Sequence, residues 1–190
     1  MAKRALELRQ AYRLLSPGPV TLLTSQYRGQ PNIMAVAWAA PLSADPPLIG
    51  VAIHPVRLTH EFVSKTDTFA LNVPHLELIA ATHKCGTLSG REVEKGDKFV
   101  AAGLTQAEPA QIDPPLIAEC IGHLECMVID RVGRGDHDFF IAQVVALSAE
   151  EESFDGFWKT DEEGGHILHH LGADRLRGAG EELQGVSRES

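Results

Sequence analysis

Arg57 and Thr59 stand two residues apart in "HPVRLTHEF", between an apolar, strand-like run and a short helical pattern. A guanidinium, a hydroxyl and the free N–H groups of a helix start are the donors a phosphate takes. If Thr59 caps the helix, its side-chain oxygen and the next backbone N–H groups define that N-terminus, with Arg57 just upstream to add a bidentate charged contact. The same residues also suit a plainer arrangement, a solvated turn arginine beside an ordinary cap, and the local pattern leaves both open. Arg91, Lys95 and Lys98 in "SGREVEKGDK" form a second cation group, preceded by Ser89 and Gly90, which permit close backbone approach. Glu92, Glu94 and Asp97 nearly cancel that charge, so a solvated loop with internal ion pairs is the other reading there.

His137 in "GDHD" has an ordinary pKa of ~6.5 and can therefore give, take or pass on a proton. The tail "HILHH" sets His166, His169 and His170 at a helical spacing suggestive of metal ligands. It lacks the glutamate of a His-Glu-x-x-His site, and an amphipathic helix end explains it as well, so no metal site is expected. Nucleotide motifs fail: "GTLSGRE" misses the Gly-x-x-x-x-Gly-Lys-Ser/Thr pattern, and no Gly-x-Gly-x-x-Gly occurs. The tripeptide Arg134-Gly135-Asp136 is common by chance and carries nothing.

The elements that would position these groups are mostly strands. "VTLLTSQYRGQPNIMAVAW" reads as a hairpin turning at Arg28-Gly29; "PPLIGVAI" and "TFALNV" are further strands, with a short helix over 59–65 between them. Helical spacing also marks residues 5–15 and 75–84, the second stopping near Gly86. In "LIAECIGHLECMVIDRV" Cys120, Gly122, Leu124, Cys126 and Val128 alternate with Glu119, His123 and Glu125, predicting one long half-exposed strand. "GRGDHD" turns it back into "FFIAQVVALSAE". About six or seven strands with hairpin-length turns and no regular βαβ alternation predict an antiparallel barrel or sandwich.

Composition bounds the function classes. The 190 residues suit one domain, with a core over about 17–150 and an irregular tail over 151–190. A formal net charge of −9, from 26 acidic and 17 basic residues, opposes nucleic acid as a partner. No apolar run approaches the ~18 residues of a membrane span, and the N-terminal stretch lacks the features of a secretion signal, so a cytoplasmic protein away from membranes is expected. Cys120 and Cys126, about 20 Å apart on one strand at ~3.3 Å per residue, are too far for a disulfide, and reduced buried thiols are expected.

Taken together, "NIMAVAWAAPLSADPPLIGVAI", "RLTHEF", "TFALNVP", "SGREVEKGDKF", "AECIGHLECMVID" and "GDHDFFIAQVVA" resemble, in order and spacing, the flavin reductase-like family of FMN-binding split barrels, which includes flavoredoxin. The resemblance implies a mainly β fold, a Greek-key split β-barrel with a few short peripheral helices, forming a homodimer with FMN near the subunit interface. It implies that Met34, Ala35, Val36, Ala37, Trp38 and Ser43 line the flavin ring and ribityl chain. Arg57, Thr59 and His60 would hold the phosphate, Asn72 and Val73 would flank the cofactor, and Ser89, Gly90, Arg91 and Lys98 would approach it. His137 would lie near the flavin or an incoming nicotinamide. The family's His-Leu-Gly ending often continues to a tyrosine, where Leu176 stands here.

The implied activity is an NAD(P)H-dependent FMN reductase, with NADH or NADPH as donor and a monooxygenase or electron-transfer protein as partner. A flavoredoxin-like electron carrier with tightly held FMN, or a cofactor-free dimeric barrel, are the alternatives. The flavin would carry out hydride and electron transfer while the protein supplies binding, orientation and electrostatics.

Overall fold

Arg28 and Gly29, with φ of +51° and +74°, make the two-residue turn between β2 (Thr21–Tyr27) and β3 (Gln30–Val36), and Tyr27 faces Gln30 across it. Two left-handed residues in succession give the turn whose twist matches paired strands. The computed structural model describes residues 18–93, 97–160, 166–172 and 175–178. The helix expected over 5–15 and Lys95 lie outside the described residues.

After β1 (Gly18–Pro19), β2 and β3, the chain forms β4 (Ala39–Ser43), β5 (Leu48–Ile53), helix α1 (Leu58–Thr66) and β6 (Thr68–Val73). A single 3-10 turn (Leu76–Leu78) leads into α2 (Ile79–Thr87), followed by α3 (Lys98–Ala102) and the short strands β7 (Gln106–Ala107) and β8 (Leu116–Ile117). The long hairpin β9 (Gly122–Arg134) and β10 (His137–Ala149) comes next, then β11 (Leu168–Gly172) and β12 (Arg175–Gly178). Seven strands form one antiparallel sheet in the order β3-β2-β6-β9-β10-β5-β4. Its two edge strands, β3 and β4, are consecutive in the chain and joined only by Ala37 and Trp38. So short a link forces the sheet to curl until its edges meet, yet β3 and β4 are not paired with each other among the described residues. The outcome is a split barrel, mainly β as expected.

Strand alternation divides the apolar residues between two layers. Leu23, Val51, Phe69, Leu71, Phe140 and Ala142 fill the barrel, and Val63 of α1 plugs into the same cluster. Leu22, Ile33, Cys85, Phe99, Ile117 and Cys120 pack between the outer face of the sheet and helices α2 and α3. No helix among the described residues is long and apolar enough to cross a membrane.

Three expectations need correction. The single strand over 116–132 is broken: Cys120 N–H bonds back to the Ile117 carbonyl at 3.0 Å, so the chain turns before β9 starts at Gly122. Cys120 is therefore not on the strand that carries Cys126. All three cysteines are nevertheless free and buried, and burial pushes the Cys85 thiol up to about 11 and Cys126 to about 12. The tail is not irregular throughout: β11 pairs with β12 and with β1. His169 and His170 accordingly sit in a strand, facing opposite sides, instead of along a helix.

The outer layer is pinned by Asn72, which is fully buried. Its Nδ2 donates to the Leu22 carbonyl at 2.9 Å and Thr24 Oγ1 at 3.3 Å; its Oδ1 accepts from Ile117 N–H at 3.0 Å and His123 Nδ1 at 2.9 Å. Asn72→Leu keeps the volume but strands several of these partners, and is expected to destabilise the fold by about 3 kcal/mol in urea unfolding. Burial holds the His123 pKa below its ordinary 6.5, outweighing the upward pull of Glu125 and Glu150. The unfolded chain then binds the proton more readily, so stability falls as pH drops from about 6.5 towards the folded value. His123→Asn, which keeps a donor to Asn72 but does not titrate, is expected to lose less stability over that window in urea midpoints measured against pH.

Candidate functional site

Beside the end of β3 and the link that follows it lies a cavity of about 480 Å³. One wall is the end of β3 and the link, Met34 to Trp38; another is Ala52 and Ile53 of β5, continued by His54 and Arg57. Thr82, His83, Gly86 and Thr87 on α2 form a third, His137 stands at the start of β10, and His170 and Leu176 close the far side from the tail. Among the described residues, the lining carries one guanidinium and four imidazoles, and no carboxylate. In a chain with a net charge of −9, that local excess of cationic and protonatable groups favours an anionic ligand.

Arg57 reaches the wall because it, and not Thr59, is the N-cap of α1: its backbone is extended (φ −76°, ψ 140°) and no side chain caps the helix. The first-turn N–H groups, which lack partners within a helix, thus begin beside the guanidinium. Thr59 lies inside the first turn, 1% exposed, where its hydroxyl accepts from Asn32 Nδ2 at 2.7 Å. Gly90 packs against the same Asn32 and against Leu58, leaving no room for a β-carbon. Thr59, Asn32 and Gly90 thereby build the floor behind the helix start.

Lys98 and Arg91 are already engaged. Lys98, buried, donates to the Cys85 and Leu88 carbonyls at 2.7 and 2.8 Å and so caps the C-terminal end of α2. Desolvation lowers its pKa, and the neighbouring Arg57 charge adds to that shift. Arg91 pairs with Glu61 at 2.6 Å on the outer side of α1, while its N–H bonds to Ser89 Oγ at 3.3 Å. His60 donates from Nε2 to Asp138 Oδ2 at 2.7 Å. Ser43 ends β4, Val73 is buried at the end of β6, and Asn72 belongs to the outer-layer network. Of the sequence-derived site residues, the structure gathers Met34, Ala35, Val36, Ala37, Trp38, Arg57 and His137 into one cavity; Thr59, His60, Gly90 and Lys98 support it, and Ser43, Asn72, Val73, Ser89 and Arg91 are not in its lining.

At the mouth three rings meet. His137 lies 4.7 Å from Trp38 and 5.1 Å, edge-on, from His54. His137 Nδ1 donates to Asp136 Oδ1 at 2.8 Å, a bond that holds the Asp136 carboxyl below its usual range. Nε2 of His137 is the nitrogen left to exchange a proton with a ligand. His54 Nδ1 accepts from Val56 N–H at 3.2 Å, which puts the neutral ring's proton on Nε2.

Sequence reading missed the α2 wall and the tail. A signal for the first exists: Thr82 and Gly86, and His83 and Thr87, are four apart and share one side of a helix. His170 and Leu176 arrive through pairing with β1 at the other end of the chain.

These residues fit a flavin mononucleotide. The volume falls in the ~300–1,000 Å³ range of small-molecule sites, mostly apolar with a few polar groups. A planar ring can lie against the backbone of Met34 to Trp38 while a phosphate meets Arg57 and the start of α1. Thr82, 1% exposed and part of the lining, has a hydroxyl without a hydrogen-bond partner among the described residues. A ligand edge at this wall would supply one.

Comparison with known proteins agrees. The family model described as the flavin reductase like domain matches residues 12–165. An uncharacterized protein of Pyrococcus abyssi is 35% identical over 147 residues, 77% of this chain and 83% of that one. The reductase component of a 4-nitrophenol 4-monooxygenase/4-nitrocatechol 2-monooxygenase from Rhodococcus opacus is 25% identical over 130 residues, 68% of this chain and 65% of its own. The crystal structure of an FMN-binding domain of a flavin reductases-like enzyme from Shewanella baltica superposes with a TM-score of 0.79 at 28% identity, covering 96% of each chain.

Thr82→Val separates ligand from fold. Removing a buried hydroxyl without a partner is expected to stabilise the ligand-free protein by about 1 kcal/mol in urea unfolding. The same change is expected to weaken flavin binding several-fold in a fluorescence titration.

Proposed function

This chain belongs to the flavin reductase-like domain family, and from that premise we propose that it is an FMN-binding oxidoreductase of the cytoplasm, a homodimer that reduces flavin with NADH or NADPH. The observation that carries this reading is the cavity beside the β3–β4 link, whose described lining holds Arg57 and four histidines and no carboxylate. FMN supplies the hydride and electron chemistry when bound. Arg57 and the first-turn N–H groups of α1 hold its phosphate, a charge-assisted contact at the positive end of a helix. Backbone groups from Met34 to Trp38 orient the ring, and Thr82 supplies a hydroxyl from α2. His137, fixed by Asp136 through Nδ1, presents Nε2 as the proton-exchanging atom at the mouth, between Trp38 and His54. Likeness to a monooxygenase reductase component supports a partner enzyme that consumes the reduced flavin.

The absorption spectrum of the purified protein, followed by mixing with NADH and NADPH in turn, tests the reading. Oxidation of either nicotinamide with free FMN as acceptor is the expected result. FMN retained through gel filtration with no turnover would instead assign an electron-carrier role, and a colourless protein that ignores added FMN would overturn flavin binding altogether. Arg57→Ala is expected to weaken FMN binding by about 1–3 kcal/mol in a fluorescence titration, with unfolding unchanged.

A further inference from the structure

Asp138 and His137 are neighbours on β10, and strand geometry sends them to opposite sides. His137 joins the cavity lining, whereas Asp138 turns towards α1, the helix that plugs the barrel. The Asp138 carboxylate accepts from His60 Nε2 at 2.7 Å, and Arg131 Nε lies 3.7 Å from the same oxygen. Arg131 also donates to Ser64 Oγ at 2.9 Å, one turn along α1 from His60. Gly133, directly across the strand pair from Asp138, makes this possible: a β-carbon there would come within 2.9 Å of Asp138 Oδ1. The His60 ring packs edge-on against Phe140 at 5.3 Å, which anchors the cluster to the barrel core. Thus α1 is fastened to the β9–β10 hairpin at two points.

Each fastened element contributes a different wall of the cavity. α1 carries Arg57 at its N-cap, three residues before His60. The hairpin carries His137, one residue before Asp138. We infer that Asp138, with His60 and Arg131, is a positioning cluster that fixes the distance between the Arg57 wall and the His137–Trp38 wall. It touches no ligand itself. Its role in flavin affinity rests on the flavin reading above; its role in placing His137 does not.

The test uses the full chain carrying Trp158→Phe, which leaves Trp38 as the sole tryptophan. Asp138→Ala removes the shared acceptor and His60→Leu removes its donor from the other side. Both are expected to shift the Trp38 emission to the red in flavin-free protein, as His137 leaves the indole, and to raise the FMN dissociation constant about tenfold in titration. Glu119→Gln, which alters a carboxylate paired with Thr105 away from the cavity, serves as the control for general loosening and is expected to change neither. Unchanged Trp38 emission in both variants, or the same change in Glu119→Gln, would overturn the inference. A shifted emission with FMN affinity as in the parent would overturn the link between the two walls. Should the parent protein bind no FMN, the flavin reading fails, and the emission of Trp38 still decides whether the cluster places His137.

Discussion

Two residues between β3 and β4 govern this molecule. A seven-stranded antiparallel sheet can lie open, but not when its outermost strands are neighbours in sequence. Ala37 and Trp38 compel closure without supplying hydrogen bonds between the edges. The backbone groups of the link need partners, and the cavity beside Met34 to Trp38 can satisfy them with a ligand as well as with water. The Trp38 carbonyl already takes one from Ala52 N–H at 3.0 Å, so β5 draws the link inward and brings His54 and Arg57 to the same opening.

Charge is distributed to the same end. Among the described residues, the acidic surplus of the chain is kept out of the cavity lining. Glu61 is shared between Lys65 and Arg91, each at 2.6 Å, on the outer side of α1. Exposed pairs of this kind contribute little stability; what they do here is neutralise Arg91 outside the cavity, while Arg57 is the guanidinium among the described lining residues. Lys98 is consumed by the carbonyls that end α2. A buried ammonium without those acceptors would be costly, and with them it acts as a covered positive charge behind the wall.

The barrel and half of the cavity were legible in the sequence because their signals are local. The left-handed turn at Arg28-Gly29, the strand over 68–73 and the helix near 59–65 follow from turn chemistry and apolar periodicity within a few residues. The break at 118–121 was hidden because alternation from Cys120 to Val128 runs on smoothly through it; the turn is set by packing against β7 and Asn72, which sequence spacing does not show. Thr59 attracted the cap assignment because hydroxyl residues favour that position. The cap instead falls two residues earlier, at Arg57, and the Thr59 hydroxyl takes the buried Asn32 amide. The family resemblance implied that Asn72 flanks the cofactor; in the structure its side chain is engaged by four hydrogen-bonding neighbours.

Which residue of β10 meets the cavity is finally a question of register. Successive side chains face opposite sides of a sheet, and a slip of one residue would exchange them. Opposite β9, His137 faces Arg134 and Asp138 faces Gly133, across a turn of only Gly135 and Asp136. Gly135, with φ of +70°, lets that turn stay two residues long. The irregularities of the hairpin fall further along, between Ile141 and Ala142 and between Val144 and Ala146, so they bend the strand without disturbing its tip. A tight glycine turn therefore decides that an imidazole stands over the cavity and a carboxylate over the plug helix. The opposite assignment would put a negative charge into a lining whose described residues include no carboxylate.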